Sequence, residues 1–312
     1  MTIKDPALSR SFRQAVGGPI RRGISLRRHS TFRIGGKADY FFTAGSAREL
    51  AGSLRFAHER GLSHYIVGAG TNILFDDDGF RGLIIKNEVR GIERTSGETR
   101  VRVKSGTALS ELVEFCLEER LEGLEFAAGI PGTVGGAVYG NAGAWGASVG
   151  QLLVEGLLLD EAAQALTAGN SFFGFGYRQS FLKTRHLTIL EAVFKLRKGD
   201  PGLIRERMDE TLVKRKAPCP SNTMAYCGSF FKNPVLPDGT KLAAGRLLEK
   251  VGAKDLRSGG AAVYAGHANF IVNLGRAKAA DILNLAREMK ARVERQFGIV
   301  LEEEVIYLPA KP

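Results

Sequence analysis

Three segments, far apart in the chain, carry side chains that could bind charge or move a proton. Gly176-Tyr177-Arg178-Gln179-Ser180 sets an arginine just after an aromatic run. Gly228-Ser229-Phe230-Phe231-Lys232-Asn233-Pro234 puts a serine beside a glycine, with Lys232 and Asn233 close by. Leu301-Glu302-Glu303-Glu304-Val305 places carboxylates at the mouth of an apolar strand. Each has a plainer alternative: Arg178 in a surface ion pair, Ser229 as a turn residue, Glu304 on a solvated face. Spacing along the chain does not bring the three together.

Two glycine-rich stretches could present backbone to a ligand. Val67-Gly68-Ala69-Gly70-Thr71-Asn72 follows a strand, and successive N–H groups in such a turn form a nest for oxyanions. It lacks the dinucleotide fingerprint, because the third glycine would fall at Ile73, and the chain has no Walker A sequence. An ordinary tight turn reads equally well. The second stretch is denser: Gly129-Ile130-Pro131-Gly132-Thr133-Val134-Gly135-Gly136-Ala137, then Asn141-Ala142-Gly143-Ala144-Trp145-Gly146. Few long side chains are available there to fill space. A flat or extended ligand against this backbone, such as a flavin ring, is favoured over a glycine-rich crossover between strands.

The elements that must position these groups read as mixed αβ. Residues 46–59 form a helix, Tyr65–Val67 and Leu83–Lys86 are buried strands, and Arg100–Lys104 alternates in period two. Ala108–Arg120 is a helix with Leu109, Leu112, Val113, Cys116 and Leu117 on one face and Thr107 as its N-cap. Strands follow at 152–159 and 187–197. Gly199-Asp200-Pro201-Gly202 is a turn and the best domain boundary. Beyond it come a helix at Leu203–Lys216, stopping before Pro218, a helix at 278–297 with Ile282, Leu285, Met289 and Val293 on one stripe, and a strand at Val305–Leu308. Without a strict βαβ rhythm, this is α+β.

Composition narrows the classes. The 312 residues can bury one large core or two to three smaller ones. Lys+Arg of 44 against Asp+Glu of 33 gives a net charge of +11, which favours anionic partners. Much of the excess, including Arg10, Arg13, Arg21, Arg22, Arg27 and Arg28, reads as a flexible solvated arm. Cys116, Cys219 and Cys227 form no CxxC pair and no zinc-type spacing with the five histidines, so no metal is expected and a reducing compartment fits. No signal-peptide or membrane-spanning run is visible, and the cytoplasm is the default. A basic nucleic-acid-binding protein is the rival from another class, but no RNP-like strand, finger or helix-turn-helix signal supports it.

At these residues the chain resembles the UDP-N-acetylenolpyruvoylglucosamine reductase, or MurB, family, over about residues 29–308. The motifs are Ser30-Thr31-Phe32-Arg33-Ile34-Gly35-Gly36, the 67–72 loop, Gly129–Gly146, Tyr177-Arg178-Gln179-Ser180-Phe181, Gly228–Pro234, His267-Ala268-Asn269-Phe270-Ile271-Val272-Asn273 and Leu301–Val305. The resemblance implies a two-part FAD-binding region of the vanillyl-alcohol-oxidase/PCMH type over 29–199, with subdomains at about 29–87 and 88–199. It follows a basic arm at 1–28 and precedes an α+β substrate-binding domain at 200–312 with a returning C-terminal strand.

It implies noncovalent FAD held by Gly68, Ala69, Gly70, Thr71, Asn72, Gly132, Thr133, Gly135, Gly136, Asn141, Ala142 and Gly143. NADPH is the hydride donor, and UDP-N-acetylglucosamine enolpyruvate is reduced to UDP-N-acetylmuramate, a step of peptidoglycan precursor synthesis. Hydride addition builds negative charge beside the enol carboxylate, which a fixed cation and a hydrogen-bond donor stabilise. By the family match Arg178 and Glu304 hold and polarise the carboxylate while Ser229 delivers the proton as general acid. Those three are then expected around one pocket lined by the 129–146 backbone. Tyr177, Lys232, Asn233 and His267 face the substrate, Lys232 and Asn233 near its diphosphate. A monomer with no nucleic-acid or membrane partner is expected.

The departures are Ile306 where the family usually has arginine and Tyr264 where it usually has serine. Residues 159–176 are too few for the extra tyrosine-bearing loop, which points to the branch without it. The nearest rival is an FAD-linked oxidase of the same superfamily.

Overall fold

The computed structural model describes residues 6–95, 99–216, 219–221 and 223–311. It divides into two compact units. Met1–Arg22, Asp39–Ala69 and Gly82–Arg215 make the first; Gly23–Ala38, Gly70–Arg81 and Lys216–Pro312 make the second. The chain thus enters and leaves the second unit twice before completing it, an interleaving that the turn at 199–202, read as the best domain boundary, does not reveal.

The first unit opens differently from the expected solvated arm. Pro6–Val16 is a helix whose Phe12 and Val16 are buried while Arg10 and Arg13 stay exposed. Phe12 meets Phe42 and Phe56 edge-on at 5.0 Å each, so the apolar stripe anchors what the charge suggested would be free. Arg21 and Arg22 lie over Phe41 and Tyr40. The arginines are basic rims on packed aromatics. Residues 1–5 lie outside the described residues.

Helix Ala47–Glu59 starts at Ser46, whose hydroxyl accepts the Glu49 N–H while Glu49 reaches back, a capping box. A four-stranded sheet orders its strands 21–25, 37–44, 80–87 and 64–67, the last two parallel. A five-stranded antiparallel sheet runs 165–169, 153–159, 188–195, 100–104 and 92–94. Against it packs helix Leu109–Glu118 through Leu109, Leu112, Val113, Cys116 and Leu117. Its N-cap position is Ala108, which makes no side-chain cap. Thr107, expected there, instead uses its hydroxyl to accept the Gly91 N–H at 3.1 Å. Cys116 sits in this core at 2% exposure, and burial pushes its thiol up to about 12. Helix Pro201–Lys216 closes the unit, with Ile204 and Met208 buried. Pro218, expected to stop it, lies outside the described residues.

In the second unit helix Ala279–Phe297 buries Ile282, Leu285, Met289 and Val293 and ends at Gly298, whose φ of +66° terminates it. It lies beside a short antiparallel sheet of strands 257–258, 261–263 and 271–273. The strand Ile306–Leu308 returns to pair in parallel with Ile73–Phe75. The architecture is α+β, as the lack of βαβ rhythm predicts.

Candidate active site

In the first unit the strand His64–Val67 runs into Gly68-Ala69, and the second glycine-rich stretch lies against that turn. A Cβ on Gly68 would stand 2.5 Å from Thr133 Oγ1, so only hydrogen fits between them. Thr133 accepts the Gly136 N–H at 3.3 Å and so caps the short helix Val134–Tyr139. Behind it, Gly135 donates to Ser105 O at 2.8 Å, and a Cβ there would come to 2.9 Å from Ser105 Cβ. Gly132 holds a φ of +133°, which glycine alone adopts without strain. The backbone edge left open runs along Ala69 and Gly136, both exposed. Ala69 is the exposed tip of the turn, while Gly70 is buried. Close-packed glycine backbone with no side chain standing in front of it is what an extended diphosphate and a flat ring require, so these residues fit FAD.

Lys86 joins this turn. Its ammonium donates to the Gly68 carbonyl, and burial lowers its pKa. The sequence reading missed Lys86. The signal was a charge directly after the apolar run Leu83-Ile84-Ile85 in the strand Phe80–Asn87.

Ala142 and Gly143 lie in the loop beyond the short helix. Ala142 exchanges backbone bonds with Ala137 and Val149, at 2.7 and 2.9 Å, and Gly143 pairs with Ser148. Asn141 is buried, and its amide is engaged on both sides. Nδ2 donates to Gly176 O at 2.7 Å, and Oδ1 accepts the Gly150 N–H at 3.0 Å. The first of these bonds fixes the turn that carries Arg178.

Gly176 and Gln179 exchange backbone hydrogen bonds at 3.0 and 3.2 Å, leaving Tyr177 and Arg178 at the tip. Ser180, fully buried, pins the base of the turn by donating to Tyr139 O at 2.7 Å. Arg178 sits at φ +56°, where glycine or asparagine is usual. Such backbone costs of order 1–3 kcal/mol and persists only when its surroundings over-determine it. Here they do: Lys183 Nζ donates to Arg178 O at 2.7 Å. The guanidinium carbon lies 5.3 Å from the Tyr177 ring centre, and Tyr177 is exposed.

In the second unit the segment after Gly228 pairs with the segment 302–304. Lys232 donates its N–H to Glu302 O at 2.8 Å, and Glu304 donates its N–H to Phe230 O at 2.8 Å. Ser229 and Glu304 are therefore neighbours across one short antiparallel pairing, centred on Phe231 and Glu303. Ser229 and Glu304 are both half-buried. Asn72 Nδ2 donates to Glu304 O at 2.9 Å, and the Ile306 N–H donates to Asn72 O at 3.0 Å, so Asn72 grips both sides of Val305. Gly70 accepts the Thr31 N–H at 3.0 Å, which ties Thr71 and the end of the glycine turn to the Ser30–Gly36 motif.

The expected substrate contacts already have protein partners. Lys232 Nζ pairs with Glu302 at 2.9 Å, and that bond holds the Glu302 carboxyl below its ordinary range. Asn233 Oδ1 accepts the Ala244 N–H at 3.0 Å. His267 packs edge-on to Phe270, and its ring fills the space where a Cβ on Gly245 would stand. Its Nδ1 accepts the Asn269 N–H at 3.2 Å, which leaves the proton on Nε2 when the ring is neutral. Burial lowers the His267 pKa and so favours that neutral form. Of the expected catalytic residues, Ser229 and Glu304 lie on paired segments of the second unit, with Glu304 opposite Phe230 and Ser229 one residue before it; Arg178 belongs to the first unit.

A profile described as UDP-N-acetylenolpyruvoylglucosamine reductase, C-terminal domain, matches residues 220–308, and one described as FAD binding domain matches residues 38–162. The UDP-N-acetylenolpyruvoylglucosamine reductase of Desulforamulus reducens is 38% identical over 96% of this chain and 97% of its own length. The chain belongs to the UDP-N-acetylenolpyruvoylglucosamine reductase family. UDP-N-acetylenolpyruvoylglucosamine reductase 2 of Symbiobacterium thermophilum is 40% identical, over 92% of each chain. Among solved structures, UDP-N-acetylenolpyruvylglucosamine reductase from Thermus caldophilus superposes with a TM-score of 0.76 at 31% identity, covering 93% of this chain and 99% of that one. Family membership accounts for the motif order from Ser30 to Val305. No helix among the described residues is long and apolar enough to cross a membrane.

Proposed function

We propose that this chain is an FAD-dependent oxidoreductase that reduces UDP-N-acetylglucosamine enolpyruvate to UDP-N-acetylmuramate with NADPH as hydride donor, a step of peptidoglycan precursor synthesis. The observation that carries the reading is likeness over nearly the whole chain to relatives named for that reductase. Bound FAD would supply the relay that accepts a hydride from NADPH and gives it to the enol. The 68–72 turn and the 132–143 backbone hold it, by N–H groups and by the absence of side chains that would intrude.

Arg178 clamps the substrate carboxylate. Its planar fork can make two parallel bonds to a carboxylate, and a tip residue held at positive φ keeps the guanidinium aimed. By the family likeness, Glu304 polarises the substrate. Ser229 gives the proton that completes the product; its hydroxyl bonds to no other side chain among the described residues, which leaves it available. His267, Lys232, Asn233 and Tyr177 receive the nucleotide-sugar portion, Lys232 by exchanging Glu302 for diphosphate. We assign FAD binding to residues 29–199 and substrate binding to 200–312. The protein acts as a cytoplasmic monomer with no nucleic-acid partner.

NADPH oxidation by the purified protein, measured without oxygen, tests this. Turnover that depends on the enol ether supports it. Turnover that needs oxygen and ignores the UDP sugar would establish the oxidase instead.

A further inference from the structure

Within the second unit one buried side chain binds the backbone directly beside Ser229. Asn269, 3% exposed, faces Phe231 with both ends of its amide: Oδ1 accepts the Phe231 N–H at 2.9 Å, and Nδ2 donates to Phe231 O at 2.9 Å. Its own carbonyl accepts the Phe230 N–H at 2.8 Å. The side chain thus replaces a neighbouring strand along one edge of Phe230-Phe231. The opposite edge is held by Glu304, whose N–H donates to Phe230 O. At its other end the Asn269 N–H donates to His267 Nδ1. One residue therefore sets the backbone next to Ser229 and selects the His267 tautomer that presents Nε2–H.

We propose that Asn269 is a positioning residue for proton delivery: its amide fixes the Phe230-Phe231 backbone so that the Ser229 hydroxyl stands at the correct distance and angle from Glu304. This rests on the assignment of Ser229 as proton donor. The buried amide has no other occupation, since both its bonds go to the residue two places after that serine. Neither alanine nor leucine at 269 could offer a donor and an acceptor on one edge, while aspartate keeps only the acceptor. Ser229 and Glu304 share the short pairing through Phe230. A shift of that backbone moves the serine relative to the carboxylate, and a misplacement of about 1 Å can cost roughly 10²-fold in rate.

The test is a double-mutant cycle on the FAD-loaded full chain, with the two half-reactions followed separately. Asn269→Ala removes the side-chain pair with Phe231 but keeps both backbone contacts, to Phe230 and to His267. It should slow reoxidation by the enol ether roughly 10²-fold while flavin reduction by NADPH stays within about threefold. In a Ser229→Ala background the same substitution should add less than about threefold, because the group it positions is already gone. Asn269→Asp, which keeps the Phe231 N–H bond, serves if the alanine variant does not fold, and should show the same selective loss in smaller measure. An equal loss in both half-reactions, or an undiminished loss in the Ser229→Ala background, overturns the proposal and leaves Asn269 a packing residue. Full reoxidation by Asn269→Ala alongside a crippled Ser229→Ala overturns it too, but leaves the site assignment standing. If Ser229→Ala itself reoxidises normally, that assignment fails and Asn269 has no proton donor to position.

Discussion

The two units solve opposite problems. The first is built around what must be missing. Gly68, Gly132 and Gly135 sit where a Cβ would strike Thr133 or Ser105 or where φ is positive, so its ligand surface is backbone. Its one candidate catalytic side chain, Arg178, is set on a strained turn that Asn141 and Ser180 tie down from below. The second unit is built around what must be present. Ser229, Lys232 and Glu304 are polar side chains on two facing segments, His267 stands in the turn before Asn269, and Asn269 supplies hydrogen bonds that a strand would otherwise give. A surface of absences tolerates no added atom. A surface of groups tolerates no lost one.

That contrast breaks or holds on mutation. The largest effect should come from the second unit. Ser229→Ala is expected to slow reoxidation by the enol ether about 10²–10⁴-fold and leave both FAD content and reduction by NADPH nearly unchanged, as stopped-flow absorbance would show. Equal damage to both half-reactions would make Ser229 a structural turn residue. Arg178→Lys should lose roughly 10²–10³-fold in the same half-reaction, since a point charge does not replace the fork. Activity near the parent level would show that charge alone suffices at this turn.

Smaller, and of the opposite kind, is Gly68→Ala in the first unit. One methyl pressed against Thr133 should cost about 1–3 kcal/mol, read by titration as FAD affinity weakened about 5- to 150-fold with the second unit's groups untouched. Unaltered FAD affinity would remove the argument from absence. Below that lies the pH dependence of stability. Burial lowers the pKa of His64 in the first unit and of His267 in the second from 6.5. A histidine that resists protonation only when folded contributes stability that is complete above 6.5 and lost as pH falls from there through the lowered value. Melting temperature should therefore drop on acidification below about 6.5, and His267→Gln should lessen the drop. Smallest is Glu302→Gln. Its carboxylate is 74% exposed and pairs with Lys232, so stability should change by no more than about 1 kcal/mol while Lys232 gains freedom to meet a diphosphate.

How much of this was legible depended on whether periodicity or contact carried it. Helix 279–297 and its stripe from Ile282 to Val293 were readable because a 3.6-residue repeat is local. The helix at 6–16 was not, because six early arginines masked a stripe of only Phe12 and Val16. The Thr107 cap failed for a similar reason: Gly91 lies 16 residues away and took the hydroxyl. Gly68 and Gly135 announced themselves by density. Asn269 stood in a motif already quoted, yet nothing local distinguishes an asparagine that pairs with Phe231 from one at the surface. Lys86 was visible as a charge among apolar neighbours, but its partner, the Gly68 carbonyl, is 18 residues away.

The central claim is that the glycine-rich backbone holds FAD and that the enol ether of a UDP sugar reoxidises it. Anaerobic spectrophotometry of the purified protein tests both parts at once. The protein should be yellow, bleach on addition of NADPH, and recover its colour on addition of UDP-N-acetylglucosamine enolpyruvate with no oxygen present, and heat should release the flavin into the supernatant. A colourless protein that FAD does not reconstitute, or a bleached one that only oxygen restores, would contradict the account.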